Sequence, residues 1–68
     1  MEVSSTNKIA AQWAAILIKD GYQHLFTVAG RINVTKFRHN NGNIATITCA
    51  GRDVVMRVNG QEKVRVSL

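Results

Sequence analysis

The chain has 68 residues, nine of them Lys or Arg against four Asp or Glu, a formal net charge of +5 and 46% apolar residues. This length leaves room for one small domain over residues 1–68, near the size at which a single core becomes marginal without a metal, a disulfide or self-association. One cysteine excludes an internal disulfide, and two histidines with that cysteine offer no zinc spacing, so neither a metal nor a cofactor is expected.

The first expected element is a helix over residues 7–19. Ser5, Thr6 or Asn7 can cap its first turn, and Gly21 is placed to end it in the left-handed conformation. Ile9, Trp13, Ile16 and Leu17 fall at i, i+4, i+7 and i+8, the stripe expected to face a core. Ala11, Ala14, Ala15 and Ile18 cover most of the remaining surface, and only Lys8, Gln12 and Lys19 make a polar line. A helix apolar nearly all round tends to be buried on more than one side. In so small a protein the second side would be another subunit, so Ala11, Ala14, Ala15 and Ile18 are the expected interface of a homo-oligomer. Residues 9–18 are too few to span a bilayer, and residues 1–6 lack the basic start of a signal peptide. A soluble, cytoplasmic protein is expected, a compartment that also suits a lone thiol.

From Tyr22 onward the helical period stops and β signals take over. Strands are expected over 24–28, 32–39, 44–49, 54–58 and 63–68, each boundary carrying turn residues such as Asn40-Asn41-Gly42-Asn43. Short turns between consecutive strands imply antiparallel pairing, because parallel strands need long crossovers. The expected fold class is therefore α+β: an N-terminal helix packed on an antiparallel four- to five-stranded meander sheet, either open and twisted or curled into a small barrel. A leading helix followed by five strands resembles in layout the Sm-like barrels, which form rings and bind RNA. Cys49 continues the apolar alternation of Ala45 and Ile47 and is expected to be a buried small hydrophobe. A faint repeat relates residues 27–34, TVAGRINV, to residues 48–55, TCAGRDVV. It predicts equivalent turns with Arg31 and Arg52 at matching places beside a glycine, where backbone N–H groups and a guanidinium could meet a phosphate together.

The last fifteen residues, VVMRVNGQEKVRVSL, are two alternating runs around Asn59-Gly60. A two-residue Asn-Gly loop is the favoured hairpin turn, but continued regularly it pairs Arg57 with Glu62, Met56 with Lys63 and Val54 with Arg65. An odd loop of Asn59, Gly60 and Gln61 instead pairs Met56 with Val64 and Val54 with Val66, each match contributing about 0.2–1 kcal/mol. The odd loop is the expectation, and it gathers Arg57, Lys63 and Arg65 on one face, with Arg57 opposite Lys63 and Arg65 facing Val55. A bland alternative is a solvated edge kept basic against aggregation.

All the excess charge lies in residues 31–68, where Arg31, Lys36, Arg38, Arg52, Arg57, Lys63 and Arg65 outnumber Asp53 and Glu62. A basic sheet on a neutral helix is the electrostatic footprint of phosphate binding. Phe37, between Lys36 and Arg38, is the best candidate for base stacking, against the favoured alternative of a sheet aromatic packed under the helix, whereas Phe26 and Trp13 are expected in the core. Catalysis is not expected. Asp20, Asp53 and Glu62 each lie near a cation in sequence, His24 and His39 fall on different strands, and no nucleotide-binding loop or nucleophile elbow occurs. Lys19-Asp20-Gly21-Tyr22 at a helix end, followed by Phe37-Arg38-His39, is similar to the start of the HicA-type mRNA-interferase toxins, which have a double-stranded-RNA-binding-like fold. That family's catalytic histidine would follow a glycine, but here Arg31 and Ile32 follow Gly30, and a basic hairpin replaces the closing helix, so the resemblance implies no RNA cleavage. The expectation is a non-enzymatic basic protein that contacts nucleic-acid backbone through those seven cations. Its rivals are a phage- or mobile-element-type accessory or inhibitor, for example anti-CRISPR-like, docking on an acidic protein, and a subunit of a larger assembly.

Overall fold

A computed structural model describes residues 5–68. The helix α1 spans Ser5–Lys19, and the strands are β1 Tyr22–Val28, β2 Ile32–His39, β3 Ile44–Ala50, β4 Asp53–Val58 and β5 Gln61–Ser67. Neighbours in sequence are neighbours in space, all antiparallel, in one sheet of order β1-β2-β3-β4-β5. The α+β meander expected from the short turns is the observed architecture. The barrel is not, and with it goes the Sm-like layout: β1 and β5 remain separate edges. Closure needs strand tilt and stagger that bring the edges into register, whereas here α1 packs across β1, β3 and β4. The apolar side is thus covered by helix-on-sheet layering.

Strand alternation decides what α1 covers. In β3, Ala45, Ile47 and Cys49 are buried, and Ile44, Thr46, Thr48 and Ala50 between them are only half-buried. Cross-strand register carries the buried face sideways, placing Phe37 beside Ala45, and Val58, Met56 and Val54 beside Ala45, Ile47 and Cys49. Leu17 and Tyr22 complete the cluster, and Ile9, Ala10, Trp13 and Ala14 pack on it from the helix. Fully burying a side chain such as Phe37 or Ile47 contributes about 1.5–3 kcal/mol. Ile16, expected in this stripe, is instead 64% exposed. On a helix of 3.6 residues per turn it lies about a quarter turn from the centre of the face formed by Ile9, Ala10, Trp13, Ala14 and Leu17. Ala14 is half-buried against the core, so it does not belong to an outward interface, while Ala11, Ala15 and Ile18 do point outward.

Gly21 ends α1 with φ 103°. The chain turns straight into β1 there, and the helix end is tied to the β2–β3 turn by His39. Its Nδ1 accepts the Asn41 N–H at 3.1 Å, which leaves the proton on Nε2 to donate to the Asp20 carbonyl at 3.1 Å. The two copies of the sequence repeat do not make equivalent turns. Gly51 has φ 60° in the tight turn between the paired Ala50 and Asp53, whereas Gly30 keeps a negative φ in the longer β1–β2 loop and donates to Asn33 Oδ1 at 3.1 Å.

The terminal hairpin combines features of both registers weighed from sequence. Asn59 and Gly60 form a two-residue turn with φ 52° and 81°, pairing Val58 with Gln61 and Arg57 with Glu62. A bulge then absorbs Lys63, so Met56 still pairs with Val64, Val55 with Arg65 and Val54 with Val66. The odd loop and the Arg57–Lys63 pair are therefore corrected, while the apolar register they were meant to protect is present. The extra residue sits in the strand, where a bulge leaves it unpaired. A second bulge in β1 leaves Leu25 unmatched between His24 and Phe26.

Candidate binding surface on the open sheet face

The face of the sheet turned away from α1 is organised in cross-strand rows. One row runs Phe26, Lys36, Thr46, Arg57, Glu62 from β1 to β5, and beside it lies Gln23, Arg38, Ile44. On the other side of the first row come Val28, Val34, Thr48, Val55, Arg65. At about 4.8 Å between strands, Phe26 and Arg57 stand roughly 14 Å apart with Lys36 between them. Val55 is buried on this face, only 5% exposed, outside the helix-side cluster.

Three cations expected from sequence are thereby gathered: Lys36 and Arg57 in one row, and Arg38 two residues along β2 from Lys36. The Lys36 ammonium lies 5.8 Å from the centroid of the Phe26 ring, within cation–π range. Among the described residues none of the three has an ion pair; the ion pairs present belong to Arg65. A hollow of about 230 Å³ beside Arg38 is lined by Gln23, Arg38, His39 and Asn40.

The other four cations stand apart. Arg31 and Arg52 are exposed in the loops at one end of the sheet, next to the paired Ile32 and Ala50. Lys63 is exposed on the β5 bulge. Arg65 is engaged by acids, with Nη2 at 3.0 Å and Nε at 3.2 Å from Glu62 Oε1, and Nη1 at 3.6 Å from Asp53 Oδ2. Hydrogen bonding and charge from Glu62 hold its guanidinium above its ordinary pKa. Asp53 also accepts the Ser67 hydroxyl at 2.7 Å. The Arg57, Lys63 and Arg65 stripe is thus broken: Glu62 faces Arg57 in register, Lys63 is displaced, and Arg65 is neutralised. The part of the face around Lys36, Arg38 and Arg57 keeps its positive charge because Asp53 and Glu62 are both drawn to Arg65.

Phe37 is 1% exposed and packs in the core. It cannot stack a base, because alternation along β2 places it on the side opposite Lys36 and Arg38. The exposed ring on the Lys36 side is Phe26. It is 47% exposed and shares the cationic row, although sequence reading assigned it to the core. The parity of Lys36 and Arg38 was the available signal, but placing Phe26 with them requires the β1 bulge, which no dipeptide announces. Next to Phe26 the face is apolar, with Val28 56% and Ile32 52% exposed.

The histidines hold structure. His24 Nε2 lies 2.9 Å from Thr27 Oγ1, its ring meeting Phe37 edge-on at 5.8 Å, and His39 meets Tyr22 at 5.0 Å. Cys49 is buried, and desolvation raises its pKa. Among the described residues no three His, Cys, Asp or Glu side chains come together to hold a metal, and no helix is long and apolar enough to cross a membrane. No protein-family model, curated protein or solved structure matches this chain.

Proposed function

We propose that the protein binds nucleic acid non-enzymatically, laying the sugar-phosphate backbone across the open sheet face on Lys36, Arg38 and Arg57. The observation that carries this reading is the cationic cluster itself: Lys36 and Arg57 in one row and Arg38 in the next, three basic side chains on one face without ion pairs among the described residues, while Glu62 and Asp53 are occupied by Arg65 at the β5 side. Folding leaves these charges unneutralised, and an anionic polymer would relieve their mutual repulsion. Arg31 and Arg52 extend the positive field along one end of the sheet and add to long-range attraction.

Counterion release gives the test. Each phosphate neutralised on a single strand adds about −0.7 to the slope of log affinity against log salt, so three contacts predict a slope of about −2. Fluorescence anisotropy with a labelled 12-nucleotide strand at several NaCl concentrations measures it. Absence of binding at 20 mM NaCl would overturn the proposal. A second reading has its own observation: Ile16 and Ile18 are exposed on α1, and Ile16 borders a groove of about 540 Å³ with Leu17, Tyr22, Met56 and Val58. That groove fits a protein contact, either with another copy or in an inhibitor complex. A partner protein retained after nuclease treatment and lost in Ile16→Lys would favour it.

A further inference from the structure

We infer that the open face selects single-stranded over duplex nucleic acid, with one unstacked base lying on the Phe26 ring and the adjoining phosphates on Lys36 and Arg57; this rests on the function proposed above. A half-exposed phenyl ring on a strand surface gains little from an undistorted duplex, whose bases are already stacked on one another, and could enter it only by unstacking a base step at a cost of a few kcal/mol. A single strand offers unpaired π-faces, and each base stacked on an aromatic side chain adds about 1–3 kcal/mol.

Three observations point the same way. Phe26 begins the row whose next cation is Lys36, and the ammonium stands over the ring, 5.8 Å from its centroid, so a base that takes the ring face displaces it toward the adjoining phosphate. Lys36 and Arg57 flank the short Thr46 side chain, so the row between them is low, and a backbone can cross β3 there. The hollow beside Arg38 is lined also by Gln23 and Asn40, residues whose side chains carry hydrogen-bonding groups suited to the polar edge of a neighbouring base. Phosphate contacts alone would not discriminate single from double strands by much; the ring does.

The test compares a 12-nucleotide oligouridine with a 12-base-pair duplex by anisotropy at 50 mM NaCl, using the full chain. The wild type should bind the single strand more tightly, by roughly 5- to 100-fold for one stacked base. Phe26→Leu should lose that preference through weaker single-strand binding, and Phe26→Tyr should retain it, which separates loss of the ring from loss of the fold. Arg57→Gln should weaken both ligands together. Equal affinity of the wild type for the two ligands, or a Phe26→Leu variant with unaltered preference, would overturn the stacking inference while leaving backbone binding intact. Failure to bind either ligand removes both proposals.

Discussion

At Gly21 two constraints coincide, a φ of 103° that L side chains rarely adopt and a Cβ position only 2.8 Å from His39 Nε2. Gly42 shares the first, with φ 95°, but has open space around it. Gly21→Ala should therefore cost about 2–4 kcal/mol and Gly42→Ala about 1–2 kcal/mol, the difference being the collision with the ring that ties α1 to the β2–β3 turn. Thermal unfolding separates them, since about 1 kcal/mol moves the midpoint of a domain this size by roughly 4–8 °C. Equal losses would show that the His39 contact imposes nothing. Cys49 allows a pH argument. Its pKa is raised by burial, so the folded state resists the thiolate, and the unfolded chain ionises first, at the ordinary value of a free thiol. The stability this gives is complete below that pH and is lost as pH climbs through the folded-state pKa. Cys49→Ala should thus flatten the fall in denaturant midpoint between pH 7 and pH 10. Disulfide exchange with a small aromatic disulfide at pH 8 should run at least about tenfold slower on the folded chain than on the unfolded one. Cys49 was legible in sequence because its alternation with Ala45 and Ile47 fixes one face. Phe37 lies under the helix, the alternative favoured from sequence, because its flanking residues Lys36 and Arg38 are by alternation not its neighbours on a strand face, whereas Phe26, expected in the core, lies on the open face.

The β4–β5 hairpin shows where sequence arithmetic stops. Matching Met56 to Val64 and Val54 to Val66 demands one extra residue between the strands, which the alternation reveals, but nothing in the alternation says whether that residue lies in the loop or in a strand. Turn chemistry decides it. Asn59 tolerates φ 52°, accepts the Ile44 N–H on Oδ1 at 3.0 Å, and donates from Nδ2 to Asn43 Oδ1 at 3.0 Å, so the tight turn is braced against the start of β3. The surplus is then left to Lys63. Asn59→Ala should cost about 1–3 kcal/mol, from lost side-chain hydrogen bonds and left-handed strain. Asn59→Asp keeps the acceptor for Ile44 and should lose less. Deleting Lys63 makes the opposite kind of prediction. All observed pairs survive on a regular ladder, so stability should stay within about 1 kcal/mol of the wild type, while the straightened β5 edge becomes more prone to self-association. Chemical denaturation and light scattering read the two effects. A large loss of stability on deletion would mean that the bulge does more than take up the extra residue.

The uneven charge of the chain was readable as a count, but its consequence depends on which cations remain unpaired in three dimensions. Of the seven in residues 31–68, Arg65 is engaged by two acids in pairs that are 44–46% exposed, and such exposed pairs contribute little to stability. Lys36 and Arg57 sit two strands apart, roughly 10 Å, which is about one Debye length at 0.1 M salt. With a net charge of +5, repulsion should outweigh the Arg65 pairs in the folded molecule. Sodium chloride should therefore raise the unfolding midpoint between 20 and 300 mM, by roughly 4–8 °C for each 1 kcal/mol of repulsion screened, while it weakens nucleic-acid binding. Arg57→Gln links the two responses, since one side chain is common to both. It should raise the low-salt midpoint, reduce its sensitivity to salt, and make the slope of log affinity against log salt shallower by about 0.7. A variant that changes the binding slope alone would place Arg57 at the ligand without a share in the repulsion. A variant that changes neither would remove the open face from the electrostatics of the molecule, and with it the reason that an unneutralised row on a neutral helix calls for an anion.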